Sequence, residues 1–228
     1  MPLDGSRFEA VIPPLVERPT FAIRKKALLI FPLEHYVEQG IMSVDQKEAI
    51  EHAVSQRENI LVCGGTGTGK TTLANAILDC IARLDAEHRI VVIEDTRELQ
   101  VSARNVVFLR TSDTVDMTRL LRATLHLRPD RIVVGEVRDG SALTLLKAWN
   151  TGHPGGVATV HADDIAGALI RMGQLIQEAG VPPNPELTAE AVNVVVSIRR
   201  IESGRRVQAV AKVRGWTPGG GFDIARLA

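Results

Sequence analysis

Apolar residues recur with two different periods along this chain. Residues 8–12 and 20–24 read as two short strands, with Pro13, Pro14 and Pro19 punctuating the segment between them. Two strands bury too little surface to stand alone. They are expected to be the end of a larger sheet. Gly40 then precedes Ser43-Val44-Asp45-Gln46, a helix start with Ser43 as N-cap. That helix is expected to run to about residue 56.

From residue 59 the pattern alternates. Runs at 59–63, 89–94, 106–110, 131–137 and 157–161 predict strands, and helical spacing predicts helices over 72–84, 116–127, 139–150 and 164–179. Pro182, Pro183 and Pro185 break the chain, and a short helix is expected over 186–191. Residues 192–201 and 206–213 predict a C-terminal β-hairpin turning at Glu202-Ser203-Gly204-Arg205. The tail from Gly219 is expected to fray. The succession predicts an α/β fold with a mostly parallel central sheet.

One turn in this pattern carries chemistry. Gly64-Gly65-Thr66-Gly67-Thr68-Gly69-Lys70-Thr71 fits G-x-x-x-x-G-K-[ST] between a predicted strand and a predicted helix, the context that a phosphate-binding loop requires. Its glycines allow successive N–H groups to face a phosphate, and the N-terminus of the following helix adds to the attraction. Lys70 is suited to the β- and γ-phosphates and the Thr71 hydroxyl to Mg²⁺, with Thr72 completing the set. ATP and Mg²⁺ are the expected ligands.

Hydrolysis needs further groups, expected at the carboxyl ends of strands. Three strand ends supply them. Glu94 and Asp95 are candidates to orient the attacking water, with a helix cap as the bland reading of Asp95. Glu98 reads either as a further acid of this group or as a solvated helix residue. Glu136, after an apolar strand and Gly135, could hold a metal-bound water or polarise the attacking one. His161 could donate to a γ-phosphate; His153 is divided between a catalytic and a structural role.

Composition limits the partners. The 228 residues are 45% apolar and carry 27 basic and 27 acidic side chains, so no global field draws the chain to nucleic acid or anionic lipid. With 4% aromatics, strong direct nucleic-acid binding is not expected. Apolar runs are too short to span a bilayer, and residues 1–6 lack the basic and apolar regions of a signal peptide. A cytoplasmic location is expected. Cys63 and Cys80 read as two buried thiols rather than a disulfide or metal site.

Four motifs in order resemble the type II/IV secretion ATPase superfamily. The phosphate loop 64–71 matches its first motif. Glu94-Asp95-Thr96-Arg97-Glu98 looks like its acidic box. Val133-Val134-Gly135-Glu136-Val137-Arg138 looks like its second nucleotide motif, and 151–162, with Gly155-Gly156 and His161, like its histidine box. The resemblance implies a P-loop NTPase (RecA-like) core over 41–228, with 1–40 as remnant of an N-terminal α+β domain. Most of that domain is expected to be missing. Arg7 and Arg24 look like the two N-terminal-domain arginines that reach nucleotide in this superfamily. Their bland reading is a pair of solvated strand residues.

Two cysteines leave no room for the four-cysteine zinc insert of pilus and type II members, and Leu127-Arg128-Pro129-Asp130 is similar to the type IV secretion branch. The resemblance implies a Mg²⁺-dependent ATPase motor of conjugation. It would be a homo-hexamer, peripheral to the inner membrane through other type IV secretion components. A nucleotide-gated assembly protein, a pilus or type II secretion ATPase, a nucleic-acid translocase and a small-molecule kinase remain as competing functions.

Overall fold

The structure, a computed structural model, describes residues 6–24 and 29–228, and the side chains of Arg7 and Arg24 lie outside that description. Two strands, β1 (Arg7–Val11) and β2 (Thr20–Arg24), pair antiparallel as a separate two-stranded sheet, with Arg7 opposite Arg24 in register. Phe8 stacks on Phe21 at 5.9 Å between ring centroids.

The central sheet has eight strands. The parallel part contains β3 (Ile60–Gly64), β4 (Ile90–Glu94), β5 (Val106–Arg110), β6 (Arg131–Val137), β7 (Val157–His161) and β8 (Val194–Ile201). Two antiparallel strands, β9 (Gly204–Thr217) and β10 (Gly221–Arg226), extend it, in the order β10-β9-β8-β3-β7-β6-β4-β5. The phosphate-loop strand β3 thus lies between β7 and β8, parallel to both. Every residue of β3 and of β4 is buried, as continuous apolar runs require in a sheet covered on both faces.

Helices cover both faces. On one, α1 (Leu33–Glu38), α2 (Val44–Ser55) and α3 (Lys70–Leu84) pack Leu33, Ile50, Leu73 and Ile77 against Ile60, Val62 and Val92. On the other, α4 (Met117–Thr124), α5 (Ser141–Asn150), α6 (Ile165–Gln177) and α7 (Pro185–Ala191) pack Leu121, Leu145, Trp149 and Met172 against Leu61, Ile93 and Val134. Alternate residues of each strand therefore feed opposite cores.

Most local expectations hold. Ser43 caps α2 through a reciprocal box: its hydroxyl accepts from Gln46 N at 3.1 Å and Gln46 Oε1 accepts from Ser43 N at 3.0 Å. Cys63 and Cys80 are free and buried, and burial pushes their thiols up to about 12 and about 11.

Three expectations are corrected. The tail from Gly219 does not fray: Gly221–Arg226 pairs with β9, placing Phe222 opposite Trp216. The expected helix over 116–127 ends at Thr124 and tightens into a 3₁₀ turn, Leu125–Leu127, before Arg128 at positive φ. Residues 95–99 form a loop, so neither a helix cap for Asp95 nor a solvated helical Glu98 applies. The sequence pattern also misses α1, a six-residue helix too short to display a period.

Candidate functional site

The turn from β3 into α3 is built by glycine. Gly67 (φ 72°) and Gly69 (φ 99°) occupy the left-handed region that side chains disfavour. Gly64 is needed for another reason: a Cβ there would meet Ile198 O at 2.3 Å and Thr68 Oγ1 at 2.6 Å. The buried Thr68 closes the loop internally by donating to Gly65 O at 2.9 Å. Lys70 Nζ lies along the loop, donating to Gly64 O at 2.8 Å and Gly65 O at 3.0 Å. Fifteen residues of α3 direct their N-terminus at the same place.

A cleft of about 370 Å³ opens over this loop. Gly65, Thr66, Gly67, Gly69, Lys70, Thr71 and Thr72 form its floor; Glu98, Glu136, Arg138, Thr159, His161 and Arg205 form its walls. The structure therefore gathers most of the predicted residues around one space. Gly64 and Thr68 stand behind the floor as shape-giving residues. Arg7 and Arg24 share a register, but their side chains lie outside the described residues.

Strand register explains the walls. His161 ends β7 directly opposite Gly64, so its exposed ring borders the loop. Between β6 and β7 the register slips: Val134 pairs with Ala158, yet Val137 pairs with Val160. Gly135 and Glu136 together oppose Thr159, a bulge that re-aims Glu136. Thr159 Oγ1 fixes the bulge by donating to Gly135 O at 2.7 Å. Glu136 Oε2 accepts from Arg138 Nε at 2.7 Å and from Arg138 Nη2. Arg138 Nη1 also lies 4.0 Å from Asp95 Oδ2.

Glu94 occupies a different setting. It is 4% exposed, and Oε1 accepts from Glu98 N at 3.0 Å and Leu99 N at 2.7 Å. Burial raises its pKa, the two N–H donors pull the other way, and the charge of Glu98 adds to the rise. Asn75 on α3 holds the same loop, donating to Glu98 O at 3.3 Å and accepting from Gln100 N at 2.9 Å. Glu98 is thereby presented to the phosphate loop, where its Oε2 accepts from Thr71 Oγ1 at 3.3 Å.

Glu98 is thus more central than its sequence context suggests. Arg205 is a residue that the sequence reading did not select at all. It leads β9 back from the hairpin turn, and a Cβ on Gly69 would touch its Cδ at 3.1 Å. A neighbouring cleft of about 450 Å³ shares Gly67 and Arg205, and Gln39, Gly40 and Ile41 line its far side. The four-residue turn carried the signal, since a hairpin after a strand parallel to β3 must end beside the phosphate loop.

His153 lies elsewhere. It precedes β7, whereas His161 ends it, so a strand length separates His153 from the loop. The glycines next to it are structural. A Cβ on Gly155 would lie 2.4 Å from Nη1 of the wholly buried Arg131, and one on Gly156 would lie 2.1 Å from Trp149 Nε1.

The donors suit a hard cation. Thr71 and the carboxylates of Glu98 and Glu136 offer oxygen ligands at one rim of the cleft. Among the described residues no cluster of three or more His, Cys, Asp or Glu could hold a metal by itself. That is compatible with Mg²⁺, which usually takes one or two carboxylates together with phosphate and water. Among the described residues, no helix is long and apolar enough to cross a membrane.

Comparisons with known proteins agree with this geometry. The family model for type II/IV secretion system proteins matches residues 9–217. The chain is 52% identical over 216 residues to the conjugal transfer protein TrbB of Rhizobium radiobacter, covering 95% of this chain and 67% of that one. It is 32% identical over 253 aligned positions to the type IV secretion system protein VirB11 of Bartonella quintana, covering 90% and 70%. In structure it resembles the VirB11 ATPase of the Brucella suis type IV secretion system, crystallised with sulphate. The TM-score is 0.66 at 27% identity, covering 92% of this chain and 74% of that one. The phosphate loop, the bulged Gly135-Glu136 and the β7 histidine are thus arranged within a fold shared with a secretion ATPase, and the chain belongs to the type II/IV secretion system protein family.

Proposed function

We propose that this chain is the ATP-hydrolysing motor of a conjugative type IV secretion system. The observation that carries the reading is the convergence of the phosphate loop, Thr71–Glu98, Glu136 and His161 on one cleft. The triphosphate lies across the N-terminus of α3, where Lys70 leaves the loop carbonyls for the β- and γ-oxygens. The base and sugar extend toward Arg205 and the neighbouring cleft. Thr71 and Glu98 would hold Mg²⁺, which would supply charge neutralisation at the phosphates.

Water adds to the γ-phosphorus as the bond to the β–γ bridging oxygen breaks, giving ADP and phosphate. Glu136 polarises that water and takes its proton. His161 donates to a γ-oxygen, and Arg138 steadies Glu136. Arg7 and Arg24 approach the phosphates when the β1–β2 sheet closes on the ATPase domain; residues 33–38 of the 1–40 part are packed into that domain's core and do not move with it. Family resemblance to VirB11-type ATPases supports a ring of six copies, placed on the cytoplasmic side of the inner membrane by other conjugation components.

The test is phosphate release by the purified chain with ATP and Mg²⁺, beside fluorescent ADP binding. Lys70→Ala should lose both tight binding and turnover, since it removes the octet's one cation. Unchanged affinity and rate in that variant would remove the cleft from nucleotide chemistry. Tight binding without any phosphate release by the unaltered protein would favour nucleotide-gated assembly instead.

A further inference from the structure

The acidic loop over 95–99 is held from underneath. β4 and β6 pair through Ile93 and Val134, so the next residues, Glu94 and Gly135, adjoin where the ladder ends. A Cβ on Gly135 would stand 3.0 Å from Glu94 Cγ and 3.4 Å from its Oε1. The first distance is tighter than ordinary carbon contacts, so the buried Glu94 would have to give by a few tenths of an ångström to admit a side chain there. The position of the Glu94 carboxylate therefore depends on Gly135 lacking a side chain.

That carboxylate is committed to the backbone. A single oxygen receives the N–H groups of Glu98 and Leu99 at 3.0 and 2.7 Å. Two N–H donors on one carboxylate oxygen fix a loop as a helix cap fixes a helix end. The loop so fixed carries Glu98, whose other end meets Thr71. Glu94 borders a small cavity of about 30 Å³ with Thr71 and Glu136, and its hydrogen-bonded link to Thr71 runs through Glu98.

We propose that Glu94 and Gly135 are a positioning pair. The buried carboxylate, admitted by the missing Cβ of Gly135, clamps the 95–99 loop so that Glu98 is presented to the Thr71 hydroxyl. The Gly-Glu form of the second nucleotide motif then has a physical reason: its glycine serves the acidic loop while Glu136 faces the cleft. This rests on the hydrolytic reading of the cleft above.

Amide hydrogen exchange and turnover test it together. In nucleotide-free protein, Glu94→Ala and Gly135→Ala should each speed exchange of the Glu98 and Leu99 amides by about tenfold or more, whereas Glu94→Gln, which keeps the accepting oxygen, should protect them. With saturating ATP and Mg²⁺, Glu94→Ala and Gly135→Ala should lower kcat by roughly 10- to 100-fold through displacement of Glu98, with ADP affinity in the absence of Mg²⁺ within about twofold of the unaltered protein. Glu94→Gln should fall far less than Glu94→Ala. The double variant should be no slower than either single one, because both break one clamp.

Unchanged exchange in Glu94→Ala would overturn the clamp whatever the rates. Glu94→Gln as slow as Glu94→Ala, with its amides protected, would also overturn it by making Glu94 a group that acts on the reacting atoms. Exchange as expected in a protein that never releases phosphate would support the clamp and refute the hydrolytic reading alone.

Discussion

Arg131 donates from Nη1 to the carbonyl of Gly155 at 2.9 Å, in a space that exists because Gly155 has no side chain. The same guanidinium donates to Val54 O at the end of α2 and pairs with Asp85 at the end of α3. It fastens two helices to the start of β7, at the end of the sheet remote from the phosphate loop.

Gly155→Ala should therefore destabilise the fold with little effect on nucleotide chemistry per folded molecule. The position has φ 83°, which costs an alanine about 1–2 kcal/mol before the clash with Arg131 is added. Thermal unfolding should fall by roughly 4 °C or more. A melting temperature within about 1 °C of the unaltered protein would show that this end of the sheet can relax around a methyl group.

Arg205→Ala should weaken nucleotide binding. The side chain lies over Gly69 but is exposed, so its contribution is about 1 kcal/mol, roughly a fivefold loss of ADP affinity. The loss should shrink as salt rises, because an exposed charge is screened. Arg199→Ala, on the same hairpin but lining neither cleft, should lose less. Equal losses would assign the effect to the general positive field of the tip.

Stability should depend on pH through Glu94. Burial raises its folded pKa above the usual 4.5, so the folded state binds that proton more tightly than the unfolded one. Ionisation then costs stability as pH rises from the ordinary carboxylate range through the raised folded value, and the loss is constant above it. Glu94→Gln escapes this. Its urea midpoint relative to the unaltered protein should climb between pH 4 and 7. A difference that stays flat over that range would mean that the two backbone donors fully offset the burial.

Much of the core was legible because parallel strands buried on both faces read as plain runs of Ile and Val, as in Ile90–Glu94. The phosphate loop was legible because glycine spacing and a following lysine have a mechanical cause. What escaped notice was short or non-local. Leu33–Glu38 spans less than two turns. Gly221–Arg226 shows strand character only once β9 offers it an edge. The roles of Glu98, Asn75 and Arg205 come from contacts between residues 23 to 136 positions apart in the chain, which no local spacing can display. The division of labour among Glu94, Glu98 and Glu136 likewise depends on a register slip between two strands.

The phosphate-loop strand β3 has a parallel neighbour on each side, so its backbone is held across its whole width. For a motor this makes β3 a fixed anvil. The strand from which the phosphate floor springs cannot shift without breaking both ladders. Any stroke that follows loss of the γ-phosphate would have to be taken up outside β3, with the exposed tip of the β8–β9 hairpin as the element that reaches the phosphate cleft. Force would then leave the molecule through that tip, with β3 as the unmoving reference against which it pushes.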